Sequence, residues 1–218
     1  MRISHKHRFV FLAIPRTGST TVRNVLDDYS DIKSIHISEI TDGFPFYHHI
    51  SARELKNIFE RRGWEWSDYK KFCMIRNPYD RVVSLYYHRL KMESNIMKNR
   101  GVIGNSIGNV KDIVKPVNTF KDYLMHINPR NRLPTSLKAF ICDDNGNFLV
   151  DDVLMYEKLN EDLPNYLDNL GINITAEDIP HLNASQNRSA YRDYFDEDTK
   201  KRVSELYAYE ISRFGYNF

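Results

Sequence analysis

The chain has 218 residues, 41% hydrophobic and 28% charged, which suits one globular domain spanning 1–218 and excludes a disordered polymer. With 31 basic against 29 acidic residues the net charge is only +2, so nothing general points to nucleic acid or a membrane surface, and an anion site has to come from local clustering. The apolar run in the opening MRISHKHRFVFLAIP is too short for a signal peptide or a membrane anchor. A cytoplasmic protein is the expectation, with the sequons at Asn173, Asn183 and Asn187 as chance matches.

RFVFLAI reads as a buried strand, being apolar, branched or aromatic throughout. After it, Val22, Val25, Leu26 and Tyr29 recur at helical spacing, so a helix is expected from about Ser19. IKSIHI is a candidate second strand. SARELKNIFERRG carries a capping-box pair, Ser51 and Glu54, before a helix that Gly63 closes. KFCMI is another buried strand. The helix expected next places Tyr79, Val82, Val83, Tyr86 and Leu90 on one face. Residues 93–117, polar and with several glycines, read as a long loop. LKAFICDDNGNFLVDDVLMYE reads as two strands about an Asn145-Gly146 turn. Helices near 159–169 and 196–213 complete the chain. Cys73 and Cys142 both lie in these apolar stretches, read as buried free thiols with no zinc spacing. Strands alternating with helices argue for an α/β sheet that is largely parallel at its centre.

Two stretches suggest chemistry. FLAIPRTGST runs from a strand through a tight loop into a helix start, where unpaired backbone N–H groups and the positive dipole end favour an anion. Gly18 allows close approach, Arg16 brings charge, and Ser19, Thr20 and Thr21 bring hydroxyls. A Walker loop requires G-x-x-x-x-G-K-[ST]; here Ser19 follows Gly18, and no clear acidic magnesium site follows. A structural turn with a capping serine is the plain alternative. RNPYDRVVS again puts a cation at a strand end, with Pro78 at the first turn of a helix and Ser84 in its second. Arg76 and Ser84 suit a second small anion, unless Arg76 merely pairs with an acid such as Asp80. Two such cradles fit a nucleotide with phosphates at separate places.

AIPRTGSTT resembles the 5′-phosphosulfate loop of sulfotransferases, and RNPYDRVVSLYYH resembles their 3′-phosphate motif. DDNGNFLVDDVLMYEKLNEDL and the tail from Asn187 are similar to segments of the Golgi-type carbohydrate sulfotransferases and their bacterial relatives. The resemblance implies a P-loop-like three-layer α/β fold, a central and mostly parallel sheet flanked by helices. It implies 3′-phosphoadenosine-5′-phosphosulfate (PAPS) as donor, no metal, and a hydroxyl-bearing acceptor, a sugar or polysaccharide. The donor would be held by Pro15, Arg16, Thr17, Gly18, Ser19, Thr20, Thr21, Arg76 and Ser84, with Arg188 on the 3′-phosphate and Tyr191 on adenine. For the last two, an exposed loop arginine and a core tyrosine are the plain alternatives. The family usually has lysine where this chain has Arg16; arginine keeps the charge but cannot give up a proton.

Sulfuryl transfer needs a base; in related carbohydrate sulfotransferases a histidine or a glutamate takes that role, and FYHHISARE matches the family's histidine pattern, with a solvated or packing histidine as the plain alternative. His49 stands two residues before the expected cap Ser51, where the positive helix end disfavours imidazolium; His48 is the rival. Glu157 matches a recurrent family glutamate and reads as a structural hydrogen bond. Trp64, Trp66 and Tyr69 read as core, although aromatic faces also suit sugars. Two other classes stay open: a P-loop kinase or NTPase, against which the missing GK[ST] counts, and a catalytically inactive PAPS-fold binding protein, for which Arg16 is the motive.

Overall fold

In the computed structural model of the chain the described residues are 1–100, 119–125, 136–180 and 189–218. In chain order the elements are β1 (Arg2–Ser4), β2 (Phe9–Leu12), α1 (Ser19–Leu26), β3 (Ile32–Lys33), α2 (Ala52–Arg61), β4 (Lys70–Ile75), α3 (Pro78–Arg100), α4 (Phe120–Met125), α5 (Leu137–Ile141), β5 (Asp152–Met155), α6 (Leu159–Asp168), α7 (Glu197–Leu206) and α8 (Ala208–Phe214). The sheet has the order β3-β1-β2-β4-β5. β2, β4 and β5 pair in parallel, while β1 is antiparallel to both its neighbours, so β1 alone is reversed. This is the expected α/β fold with a mostly parallel central sheet and flanking helices.

The chain forms two compact units, one holding residues 1–77 with the described part of 135–184, the other the described parts of 78–134 and 185–218. The first contains the whole sheet. Phe9 and Phe11 of β2 meet Phe72 and Met74 of β4, Val22 and Leu26 of α1, and Leu163 and Leu167 of α6 in one core. The alternate residues Val10, Leu12, Cys73 and Ile75 point to the other face and are equally buried. Burial on both faces is why these strands read as unbroken apolar runs. The second unit has its own core, in which Tyr79, Val82, Val83 and Tyr86 of α3 meet Phe120, Tyr123 and Leu124 of α4 and Val203 of α7.

Several expectations change. Within MRIS, Arg2–Ser4 pairs as β1, which two apolar residues in four did not signal. IKSIHI yields only β3 and one isolated bridge, Ile35 with Tyr47. α3 continues to Arg100, into the stretch read as loop, because KMESNIMKNR holds neither glycine nor proline; 101–117 lie outside the described residues. The two-strand hairpin about Asn145-Gly146 is reduced to its turn. Gly146 has φ +86° and a single antiparallel bridge joins Cys142 to Phe148, while the first arm is helix α5. Leu137 and Ile141, four apart and both buried, satisfy a helical period as well as a strand. The last helix is broken at Tyr207, whose φ of −118° and ψ of 27° leave the helical range. Both cysteines are free and buried, although only Cys73 sits in a strand.

Candidate functional site

β2, β4 and β5 end side by side, so the segments that follow them, from Ala13, Arg76 and Tyr156, share one edge of the sheet. That edge, outside the carboxyl ends of parallel strands, is where open α/β sheets bind ligands. The loop after β2 turns through two left-handed residues, Arg16 at φ +65° and Gly18 at φ +77°, with Thr17 between them at negative φ. Such alternation turns successive N–H groups inward, and the chain then enters α1 at Ser19, whose first N–H groups have no helical partner. Gly18 is required twice over. Its φ is left-handed, and an added Cβ would stand 2.6 Å from Cδ2 of Tyr156.

Tyr156 is therefore the wall of the loop, a role the sequence reading left unassigned. The available signal was its place at the end of a strand and directly before Glu157. The Arg76 guanidinium lies over the same ring, 4.4 Å from its centroid, a cation–π contact. Burial lowers the pKa of Arg16, and the charge of Arg76 lowers it further, partly offset by Tyr156. A guanidinium remains protonated at neutral pH all the same. Two positive groups thus face each other in a partly dry site, an arrangement that an anion between them relieves. Glu157 accepts the Asn77 N–H at 2.6 Å and so holds the exit of β4, which is the structural hydrogen bond expected of it.

The hydroxyls of the loop divide. Thr17 is buried and donates to the Ile14 carbonyl at 3.0 Å, so its side chain shapes the loop. Thr20 is exposed and accepts from Arg23 at 3.4 Å, whereas Ser19 and Thr21 are buried in the first turn of α1. Pro15 is half-buried at the loop's start.

The two histidines differ in kind. His49 Nδ1 is 2.7 Å from the Ala13 carbonyl. A carbonyl only accepts, so Nδ1 carries the proton and the lone pair of the neutral ring is on Nε2. His48 Nδ1 is 2.8 Å from Nη1 of Arg23 and 2.9 Å from Ser34 Oγ. Arginine only donates, so here Nδ1 is the lone-pair nitrogen and is already engaged. Burial, then the nearby charges of Arg23 and the Met1 amino group, push the His48 pKa down from 6.5 to about 4. Ser51 caps α2 with a complete capping box to Glu54, as its spacing predicts, and His49 stands just ahead of it.

Ser84 and Tyr191 belong to the second unit, Ser84 buried in α3 and Tyr191 edge-on to Phe218 with ring centroids 6.0 Å apart. Arg188 lies outside the described residues. Trp64, Trp66 and Tyr69 all set their rings against Phe59; Tyr69 is buried as core, whereas the two tryptophans are only half-buried and line an open pocket. Among the described residues no three His, Cys, Asp or Glu side chains group so as to hold a metal ion, and no helix is long and apolar enough to cross a membrane.

A family model described as "Sulfotransferase family" matches residues 1–217. Among solved structures the chain is similar to the mouse sulfotransferase SULT7A1 complexed with PAP. The TM-score is 0.54 at 14% identity, covering 96% of this chain and 85% of that one. No curated protein matches the sequence.

Proposed function

Because the chain belongs to the sulfotransferase family, we propose that it moves a sulfuryl group from PAPS to an acceptor hydroxyl. The observation that carries this reading is the pair of guanidiniums, Arg16 and Arg76, brought to neighbouring parallel strand ends around Tyr156 and the glycine turn. The cradle fits such a donor: the loop turns through left-handed Arg16 and Gly18 into the start of α1, and the cations stand on two separate loops. The mouse structure was solved with PAP, which supports the same class of nucleotide here. When bound, the donor supplies the sulfuryl group that the acceptor oxygen attacks.

The remaining work falls to the chain. Arg16 and the N–H groups of residues 17–20 stabilise negative charge on the leaving oxygen. Arg76 binds the 3′-phosphate; the family likeness alone assigns Ser84 and Arg188 to that phosphate and Tyr191 to the adenine. His49 takes the acceptor proton on Nε2, because its Nδ1 proton is committed to Ala13. Proton transfer is assigned to His49 rather than to its rival His48, a choice supported by the engagement of the His48 lone pair by Arg23. Such catalysis is positioning plus electrostatics. We assign the acceptor to a carbohydrate, on the likeness of the segment around Glu157 to carbohydrate sulfotransferases.

Calorimetry with 3′,5′-adenosine bisphosphate, against ATP with magnesium, tests the donor class; tight binding of ATP alone would overturn it. Transfer of labelled sulfate from PAPS to a glycan panel tests the acceptor. In that assay His49→Ala should lose about 10²–10⁴ in rate with nucleotide affinity kept, and with the acid limb of the pH–rate profile abolished. A near-normal rate would remove His49 from the mechanism.

A further inference from the structure

His48 and His49 are adjacent, yet they fasten to opposite ends of the donor loop. His49 Nδ1 donates to Ala13, the first residue after β2. His48 Nδ1 accepts from Arg23, on α1 beyond the loop. Arg23 is itself spread over the start of that helix: Nε donates to the Ser19 carbonyl at 3.3 Å and Nη2 to Thr20 Oγ1 at 3.4 Å. The contacts close a ring that runs from Ala13 through the loop to Arg23, across to His48, and back through His49. Ser34 braces it from the side: its Oγ lies 2.9 Å from His48 Nδ1 and accepts from Nη1 of Arg2 at 3.2 Å, while Arg2 Nε is paired with Asp27 at 2.6 Å.

From this geometry we infer that Arg23 and His48 form a latch that fixes the distance between the donor loop and the base, making both of them positioning residues for sulfuryl transfer. The inference rests on the donor and base assignments above. Its physical content is that an in-line transfer tolerates little error between proton acceptor and leaving group, so that a displacement of about 1 Å can cost on the order of 10²-fold in rate. A planar guanidinium can span Ser19, Thr20 and His48 together, whereas a lysine ammonium is a single point donor on a flexible stem. The other charged or titratable groups facing His48 are Arg2, His49 and the Met1 amino group; of these Arg2 reaches only Asp27, at the far end of α1, and none reaches the helix start at Ser19 and Thr20.

The test is a double-mutant cycle in PAPS turnover with Arg23→Ala and His48→Leu. Each single variant should lose about 10–100-fold in kcat, with the KM for PAPS and the affinity for 3′,5′-adenosine bisphosphate changed less than about threefold, and the double variant should lose no more than either single one. His48→Asn, which keeps an acceptor toward Arg23, should restore most of the rate, and Arg23→Lys only part. Additive losses, or equal losses in kcat and nucleotide affinity, overturn the latch. A readout independent of turnover separates this idea from the functional reading. Imidazole nitrogen NMR of the wild-type chain should find His48 as the Nε2–H tautomer and His49 as the Nδ1–H tautomer, and Arg23→Ala should shift the His49 resonances. Identical tautomers, or His49 resonances indifferent to Arg23, refute the latch even in an active enzyme. The expected tautomers and the expected shift in a chain that ignores PAPS support the latch and refute only the function.

Discussion

Replacing Gly18 by alanine separates two costs that the structure places at one residue. The first is backbone strain: at φ +77° an L side chain costs about 1–2 kcal/mol. The second is steric. The new Cβ would stand 2.6 Å from Cδ2 and 2.8 Å from Cε2 of Tyr156, so the ring has to move by about an ångström to reach ordinary contact. That ring is poorly placed to move, since it packs against the sheet core and carries Arg76 on its face. Overpacking of this kind costs about 1–3 kcal/mol. Gly18→Ala should therefore destabilise the chain by about 2–5 kcal/mol in urea denaturation. Gly63, at φ +67° with nothing within 4 Å of its would-be Cβ, isolates the strain alone, and Gly63→Ala should cost about 1–2 kcal/mol. In a Tyr156→Ala background the Gly18→Ala cost should fall to that same range, because the steric part is gone. An undiminished cost in that background refutes the assignment of Tyr156 as the loop's wall.

Arg76→Ala should weaken 3′,5′-adenosine bisphosphate by about 2–4 kcal/mol in calorimetry and leave adenosine 5′-monophosphate almost untouched, since only the former has the 3′-phosphate proposed as the guanidinium's partner; equal losses would make Arg76 structural. Arg16→Ala should depress kcat far more than nucleotide affinity, and Arg16→Lys should stay active, because the leaving-group charge develops mainly in the transition state. His48 also makes stability depend on pH. Its native pKa is depressed from 6.5 to about 4, so as pH falls through that window the unfolded chain takes up a proton that the native chain refuses, and stability drops. Because the ring is only half-buried, the loss is discounted to about 1–2 kcal/mol, and His48→Asn should flatten the denaturation profile between pH 7 and pH 5 by that amount.

Much of this protein was legible in its residues. The strands β2 and β4, the start of α1 after Gly18 and the Ser51–Glu54 capping box follow from local rules: apolar runs, left-handed glycine, a side chain reaching its own helix end. The family motifs lie on those same segments, so loop and arginines could be named from the order of residues alone. The misread pieces are ones where a local pattern admits two answers. LKAFI satisfies a strand and a helix equally, and the helix forms where Leu137 and Ile141 can both be buried. Arg2–Ser4 is too short to signal a strand and becomes one because β2 and β3 lie on either side of it.

The sequence by itself determined that a cationic, glycine-turned loop sits between a buried strand and a helix, and that two histidines stand before a capped helix. Only the tertiary structure decided what these groups do to one another. It set Tyr156 against Gly18 and under Arg76, and it gave the neighbouring histidines opposite tautomers by pairing one with a carbonyl and the other with a guanidinium. The reason is physical. Strand and helix starts are written in contacts a few residues apart, whereas the proton position on an imidazole and the space beside a glycine depend on partners 25 to 138 residues away, which only the folded sheet brings to the same edge.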